Sequence, residues 1–306
     1  QMLCKKVKTK LFFKRLDIIF ITVLIVIFFA YYLNKISYGL PFFLNPDEIA
    51  FQGSTLSSLG FLTGYFEFNY NPLYAPLVNL ILILKFIFIN EFLINSISLD
   101  QIKLKIYFNP ELFLFYGRLA SLTITSLSIF FLYLIFKKLK INFLIYSTLL
   151  ITFVSSLVIL NISTTMGKNS CNLLIYLIQL YFLIKYLLKI EKFDYKSYFV
   201  FGLLASFAWG VNYWPAFISI YAVFFLHFRK FKFAKIHYLT IFISIFIIFG
   251  PFINIFFVDM GPLEHISHSK NLEAVEKVEI GFFIKYFLYN VITSFKIVYF
   301  TDKNIL

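Results

Sequence analysis

The sequence predicts an all-α protein, a polytopic transmembrane bundle of about eight helical spans with amphipathic helices in a long first outer loop. Three observations carry that expectation. The first is composition: of 306 residues, 60% are hydrophobic, 22% aromatic and 14% charged, and mean hydropathy is +0.84. Soluble domains carry roughly 25% charged residues, and a soluble globule must cover its surface with polar groups. A secreted disulfide scaffold, a disordered chain, a coiled coil and a soluble α/β enzyme are all excluded on this ground. The second observation is a series of apolar segments about 20 residues long. The third is the segregation of charge between them. The 44 Phe and 21 Tyr accompany many Ile, Lys and Asn, as an AT-rich gene would encode, so a single aromatic residue carries little weight.

Taken in order, the expected spans are 18–36, 112–136, 141–161, 171–190, 197–212, 214–228, 238–257 and 281–300. The first is too long, and too weakly followed by a cleavage site, for a removed signal peptide. The stretch 197–228 is read as two short spans with a tip near Asn212–Pro215, because basic residues flank both of its ends. Residues 37–111 form the first outer loop and 258–280 the second, within one domain covering 1–306. The apolar run at 73–94, interrupted by Asn79 and Lys85, is read as an amphipathic helix in the interface plane. The rival reading is a true span, which would invert the downstream topology.

Charge supplies the orientation. Lys5, Lys6, Lys8, Lys10, Lys14 and Arg15 precede the first span, and Lys137, Lys138 and Lys140 separate the second and third. Lys185, Lys189, Lys192 and Lys196 follow the fourth, and Arg229, Lys230, Lys232 and Lys235 follow the sixth. All fall on one side, which the positive-inside rule makes cytoplasmic, together with the N-terminus. Of 15 acidic residues, 11 fall on the other side. The net charge of +13 therefore marks orientation and attraction to anionic lipid rather than a nucleic-acid partner. Cys4 and Cys171 lie too far apart for a metal-binding pair and read as free thiols.

Few residues suit chemistry. Asp47 and Glu48 follow Pro46 about ten residues beyond the first span. They read either as an acidic pair in a helix's first turn, or as carboxylates that deprotonate an acceptor or hold a divalent cation. Arg118 opens the second span, where it can snorkel to headgroups or bind a phosphate with its planar fork. Lys168 stands in the loop before the fourth span, again as an ordinary loop lysine or a phosphate ligand. His265 and His268, beside Glu264, have a spacing that would share a helix face and suit zinc; the alternative is an exposed polar loop. Asn161-Ile162-Ser163 is a formal glycosylation sequon at a membrane edge, where a glycosylating enzyme would struggle to reach it.

Together, DEIAF (47–51), NPLY (71–74) and GRLASL (117–122) resemble the N-terminal half of the GT-C superfamily of membrane glycosyltransferases, of the protein-mannosyltransferase, aminoarabinose-transferase and RgtA-like kinds. In that family an acidic pair follows span one, a PPLY-like interfacial helix comes next, and an Arg-Leu pair opens span two. GLLASFAWGVNYWPAF (202–217) and FGPFINIFF (249–257) are similar to later family elements more loosely. The resemblance implies transfer of a sugar from a polyprenyl-phosphate-linked donor to an acceptor lipid, glycan or protein on the outer or lumenal face. That face belongs to a bacterial plasma membrane or the endoplasmic reticulum. It implies Asp47 as general base, Glu48 as its support or a metal ligand, and Arg118 as a donor-phosphate ligand.

This chain departs from the family pattern in two ways. The loop NISTTMGKNSCN (161–172) lacks the second acid that many relatives carry and has Lys168 instead. The sequence also ends soon after the eighth expected span, whereas relatives continue, which implies a short member or an absent C-terminal part. These departures motivate a second reading, a catalytically degenerate subunit that scaffolds a complex with further membrane subunits. A transporter is a third, disfavoured by the lack of an inverted repeat. The only candidate cofactor is a divalent cation at Asp47 and Glu48.

Overall fold

A computed structural model describes residues 2–37, 40, 48, 51–52, 55, 74–92, 110–188, 192–231 and 235–253. They fall within one compact unit, Gln1–Gly261, and the second unit, Pro262–Leu306, lies outside the described residues. Among the described residues every regular element is helical: α1 Met2–Leu33, α2 Tyr74–Ile87, α3 Pro110–Lys138, α4 Phe143–Val154, α5 Leu157–Thr164, α6 Lys168–Leu187, α7 Tyr195–Val211, α8 Tyr213–Phe231 and α9 His237–Ile247. Short π-helical turns extend α2 over Phe88–Phe92 and α9 over Ile248–Phe252, the latter around Pro251. The expected span 281–300 lies outside the described residues.

By length and composition three helical stretches can cross a membrane: Leu16–Leu33, Glu111–Lys138 and Lys168–Leu187. The bent pair α4–α5 makes a fourth if it counts as one span. The sequence count of about eight is therefore matched only in part. Tyr74–Asn90 and His237–Phe252 are shorter apolar helices. A helix of that length reaches about 25 Å, against a hydrocarbon core of about 30 Å.

The expected single span at 141–161 is broken. Its two halves meet at 56°, and the break coincides with Ser155 and Ser156. Ser155 Oγ donates back to the Ile151 carbonyl at 2.7 Å, while Ser156 caps α5 by accepting the Ile159 N–H at 3.3 Å. Two adjacent hydroxyls that bond the backbone end one helix and start the next.

The central helix is α3, 29 residues long. Pro110 fits its start, Glu111 lies in its first turn and Lys137 and Lys138 in its last, each matching the helix dipole. Four of its hydroxyls are satisfied internally: Thr123, Thr125, Ser126 and Ser128 each donate to the carbonyl four residues back, at 2.8–3.0 Å. Such back-bonding lets a polar stripe sit in apolar surroundings. Helix α1 runs antiparallel to α3. Asp17, near the start of its apolar part, contacts Lys137 and the Tyr146 hydroxyl, while the turn after it brings Ile36 to Arg118. Asp17, Ile21, Phe28 and Tyr32 are buried, whereas Ile18, Ile19, Val23, Val26 and Ile27 are exposed. An exposed aliphatic face is what lipid contact requires.

Helices α7 and α8 form an antiparallel hairpin that turns at Asn212, within the expected tip. Asp194 caps α7 through a reciprocal pair with Ser197. At the hairpin's far end Lys230 Nζ donates to the Phe193 carbonyl at 2.8 Å. Helices α3 and α6 pack side by side, with Ile135 near Leu177 and Ile184. The helix ends thus sort into two groups. One end of the unit gathers Lys137, Lys138, Lys185, Lys192, Arg229 and Lys230. The opposite end gathers the starts of α3 and α6.

Candidate functional site

The acidic motif is tied to the start of α3. Glu48, Phe51, Gln52 and Thr55 are helical and all buried, at the i, i+3, i+4, i+7 spacing of a single helix face. Glu48 Oε1 and Oε2 accept from Arg118 Nε at 2.9 Å and Nη2 at 3.0 Å. Arg118 Nη1 donates to the Ile36 carbonyl at 3.0 Å. Glu48 Oε1 also accepts the Met166 N–H at 2.7 Å. Arg118 is 0% exposed and Glu48 1%. One bidentate ion pair therefore fastens four segments: the end of α1, the acidic motif, the start of α3 and the approach to α6.

Gly117 makes this approach feasible. A Cβ there would lie 2.3 Å from Met166 Sδ, so the Met166 side chain packs against α3 in the space that a side chain at 117 would take. Around the knot Phe51, Ala75, Ile83, Phe113, Leu114 and Met166 form one apolar cluster. In that dry setting a paired Arg and carboxylate satisfy each other, and either alone would be costly.

Lys168 opens α6 two residues after Met166 and is half-buried. It shares a helix face with Asn172, Ile175 and Gln179. Ile175 packs on Ala208 and Ala216, and Gln179 Nε2 donates to the Pro215 carbonyl at 3.0 Å. The Lys168 face therefore meets the α7–α8 hairpin about two to three turns further along. Asn172 carries a buried Oδ1 with no donor among the described residues.

Tyr74, from the NPLY motif, inserts beside the same hairpin. Its ring stacks on Phe207 at 5.6 Å between centroids, and its hydroxyl donates to the Phe249 carbonyl. Gly210 leaves room for that ring, since a Cβ there would come 2.1 Å from Tyr74 Cδ2. Burial pushes the Tyr74 hydroxyl above its ordinary pKa.

Of the residues singled out from sequence, the structure brings Glu48 and Arg118 into direct contact and places Lys168 close along the chain to their third partner. Asp47, His265 and His268 lie outside the described residues. Arg118, expected as a phosphate ligand, has both edges of its guanidinium engaged by protein acceptors. A phosphate would have to displace Glu48. A divalent cation does not fit at Glu48, whose oxygens face a guanidinium and a backbone N–H. Among the described residues, no three His, Cys, Asp or Glu side chains gather as a metal site. Sequence reading missed the Ile36 carbonyl, the Met166 N–H and the Asp17–Lys137–Tyr146 cluster. A lone acid at the edge of an apolar span was the available signal for Asp17.

Comparison with protein-family models, curated proteins and solved structures found no match to this chain. A functional reading rests on its own residues.

Proposed function

We propose that the chain is a multi-pass membrane glycosyltransferase of the GT-C kind, acting at the end that holds Glu48 and Arg118, with that end outer or lumenal. The observation that carries the reading is the buried knot of Glu48, Arg118, Ile36 and Met166. It joins the acidic motif, the Arg-Leu helix start and the Lys168 loop, which the resemblance associates with one active site. Helix α2 then lies along the interface beside them.

In this reading Glu48 and Arg118 are positioning residues. Their pair is occupied and dry, and it anchors the acidic motif at Glu48. Asp47 takes the proton from the acceptor hydroxyl. The acceptor oxygen bonds to the anomeric carbon of the donor sugar as the bond from that carbon to the polyprenyl-phosphate oxygen breaks. The phosphate keeps the electron pair, and Lys168, at the positive end of α6, receives the developing charge. No metal is needed at Glu48 for these steps.

The test is sugar transfer from radiolabelled polyprenyl-phosphate sugars in membranes containing the full chain. Wild type should transfer at least one sugar. Asp47→Asn should abolish transfer without loss of expression, and Lys168→Ala should raise the apparent KM for donor. Undiminished transfer by Asp47→Asn would refute the assignment. The scaffold reading draws on the same knot, because a fully satisfied ion pair also suits a purely structural lock. Stoichiometric copurification with other membrane subunits, with no transfer from any donor, would decide for it.

A further inference from the structure

The end of the unit opposite Glu48 holds a pocket of about 520 Å³. Tyr186, Phe193 and Leu226 form its floor and are 5–9% exposed. Lys192, Arg229 and Lys230 stand at its rim, from two separate segments: the α6–α7 connection and the last turn of α8. No carboxylate among the described residues pairs with any of the three. The ion pairs Arg118–Glu48 and Lys137–Asp17 involve none of these three side chains. Among the described residues the nearest acid in sequence, Asp194, is taken up in capping α7 through Ser197; Glu191, next to Lys192, lies outside the described residues.

Lys230 is held in place by its bond to the Phe193 carbonyl, which spends one of its three donors. Arg229 offers a planar fork, the geometry that grips a phosphate through two parallel bonds. Three cations around a concave aromatic floor would repel one another if nothing anionic were shared between them. The helix face that carries Arg229 continues into Phe225 and Tyr221, which are 44% and 73% exposed and stack on each other. A charged rim that runs straight into an exposed apolar stripe matches an amphiphile, with phosphate at the rim and acyl chain along the stripe.

We infer that this pocket binds the phosphate headgroup of an anionic phospholipid, gripped by Lys192, Arg229 and Lys230. The site lies at the basic end of the unit, where anionic lipid concentrates if that end faces the cytoplasm. It is independent of any transfer chemistry at Glu48. A bound lipid would bridge the α6–α7 connection to α8 and stiffen the hairpin from its open end.

The experiment uses the full chain in neutral detergent, with thermal unfolding followed as phosphatidylglycerol, phosphatidylcholine or inorganic phosphate is added. Phosphatidylglycerol should raise the apparent Tm saturably. Phosphatidylcholine should not, and inorganic phosphate at the same concentration should give a much smaller rise. Lys192→Gln/Arg229→Gln/Lys230→Gln should weaken the apparent phosphatidylglycerol affinity by on the order of tenfold or more. A charge-matched control, Lys35→Gln/Lys138→Gln/Lys140→Gln, should keep it. Arg229→Gln alone, which removes no hydrogen bond or ion pair among the described residues, should show the same direction if the triple variant fails to fold. Equal stabilisation by phosphatidylcholine, or full affinity in Arg229→Gln and the triple variant, would overturn the site. Full reproduction of the effect by inorganic phosphate would overturn the lipid as its source.

Discussion

Replacing Arg118 with alanine should be among the most damaging single changes within the described residues. The substitution removes two bonds to Glu48, at 2.9 and 3.0 Å, and the 3.0 Å bond to the Ile36 carbonyl. It leaves a carboxylate that is 1% exposed with the Met166 N–H as its remaining partner in the knot. Breaking a buried pair by removing one member costs about 3–5 kcal/mol, because the survivor loses its counter-charge in a dry site. Glu48→Ala should cost a similar amount for the mirror-image reason. The double variant Glu48→Gln/Arg118→Gln removes both charges and leaves two amides able to bond each other, so it should recover much of the loss. A double-mutant cycle built from Arg118→Ala, Glu48→Ala and Glu48→Ala/Arg118→Ala, by reversible unfolding in mixed micelles, reads the coupling directly and should give at least about 2 kcal/mol. If Arg118→Ala cost less than about 1 kcal/mol, as an exposed pair would, or if the two single losses simply added, the knot would not be the fastening described here.

Other predictions use the same measurement. Gly117→Val should destabilise by about 1–3 kcal/mol through overpacking, since even a Cβ there meets Met166 Sδ at 2.3 Å; wild-type stability would show that the Met166 segment yields freely. Gly210→Ala should expel the Tyr74 ring, and adding Tyr74→Ala should cost less in that background than in wild type. Tyr74→Phe leaves the Phe249 carbonyl without its donor and should cost about 1 kcal/mol. The raised Tyr74 pKa means that the unfolded chain ionises first as pH passes the ordinary value near 10. Stability should therefore fall above that pH until the folded hydroxyl also ionises, and Tyr74→Phe should remove part of that fall. Lys140, at φ 56°, closes α3 in the left-handed region, so Lys140→Gly should raise stability by up to about 1 kcal/mol; an unchanged or lower value would refute strain there.

The residues themselves show what was legible from sequence. The α7–α8 break was readable because basic residues on both flanks of 197–228 disfavour a single crossing, and the structure turns at Asn212. The α4–α5 break was not readable. Ser155-Ser156 is a weak signal within an apolar run, and hydroxyls in such runs more often bond back without bending the helix, as those of α3 do. Glu48 and Arg118 were both visible as charges near apolar segments. Their mutual contact was not, because 70 residues separate them and several other charges compete for each as a partner.

The sequence by itself determined the class of the molecule. Its apolar content and short-range periodicity require helices, and its scarce charges require a lipid-facing or paired setting, because these are properties of single segments against their solvent. Only the tertiary structure decided which charges meet. It joined Glu48 to Arg118, seated Met166 in the space left by Gly117, set Tyr74 against Gly210, and gathered Lys192, Arg229 and Lys230 around one pocket. Those outcomes depend on how helices far apart in the chain stack, and no local pattern encodes the distance between two such helices.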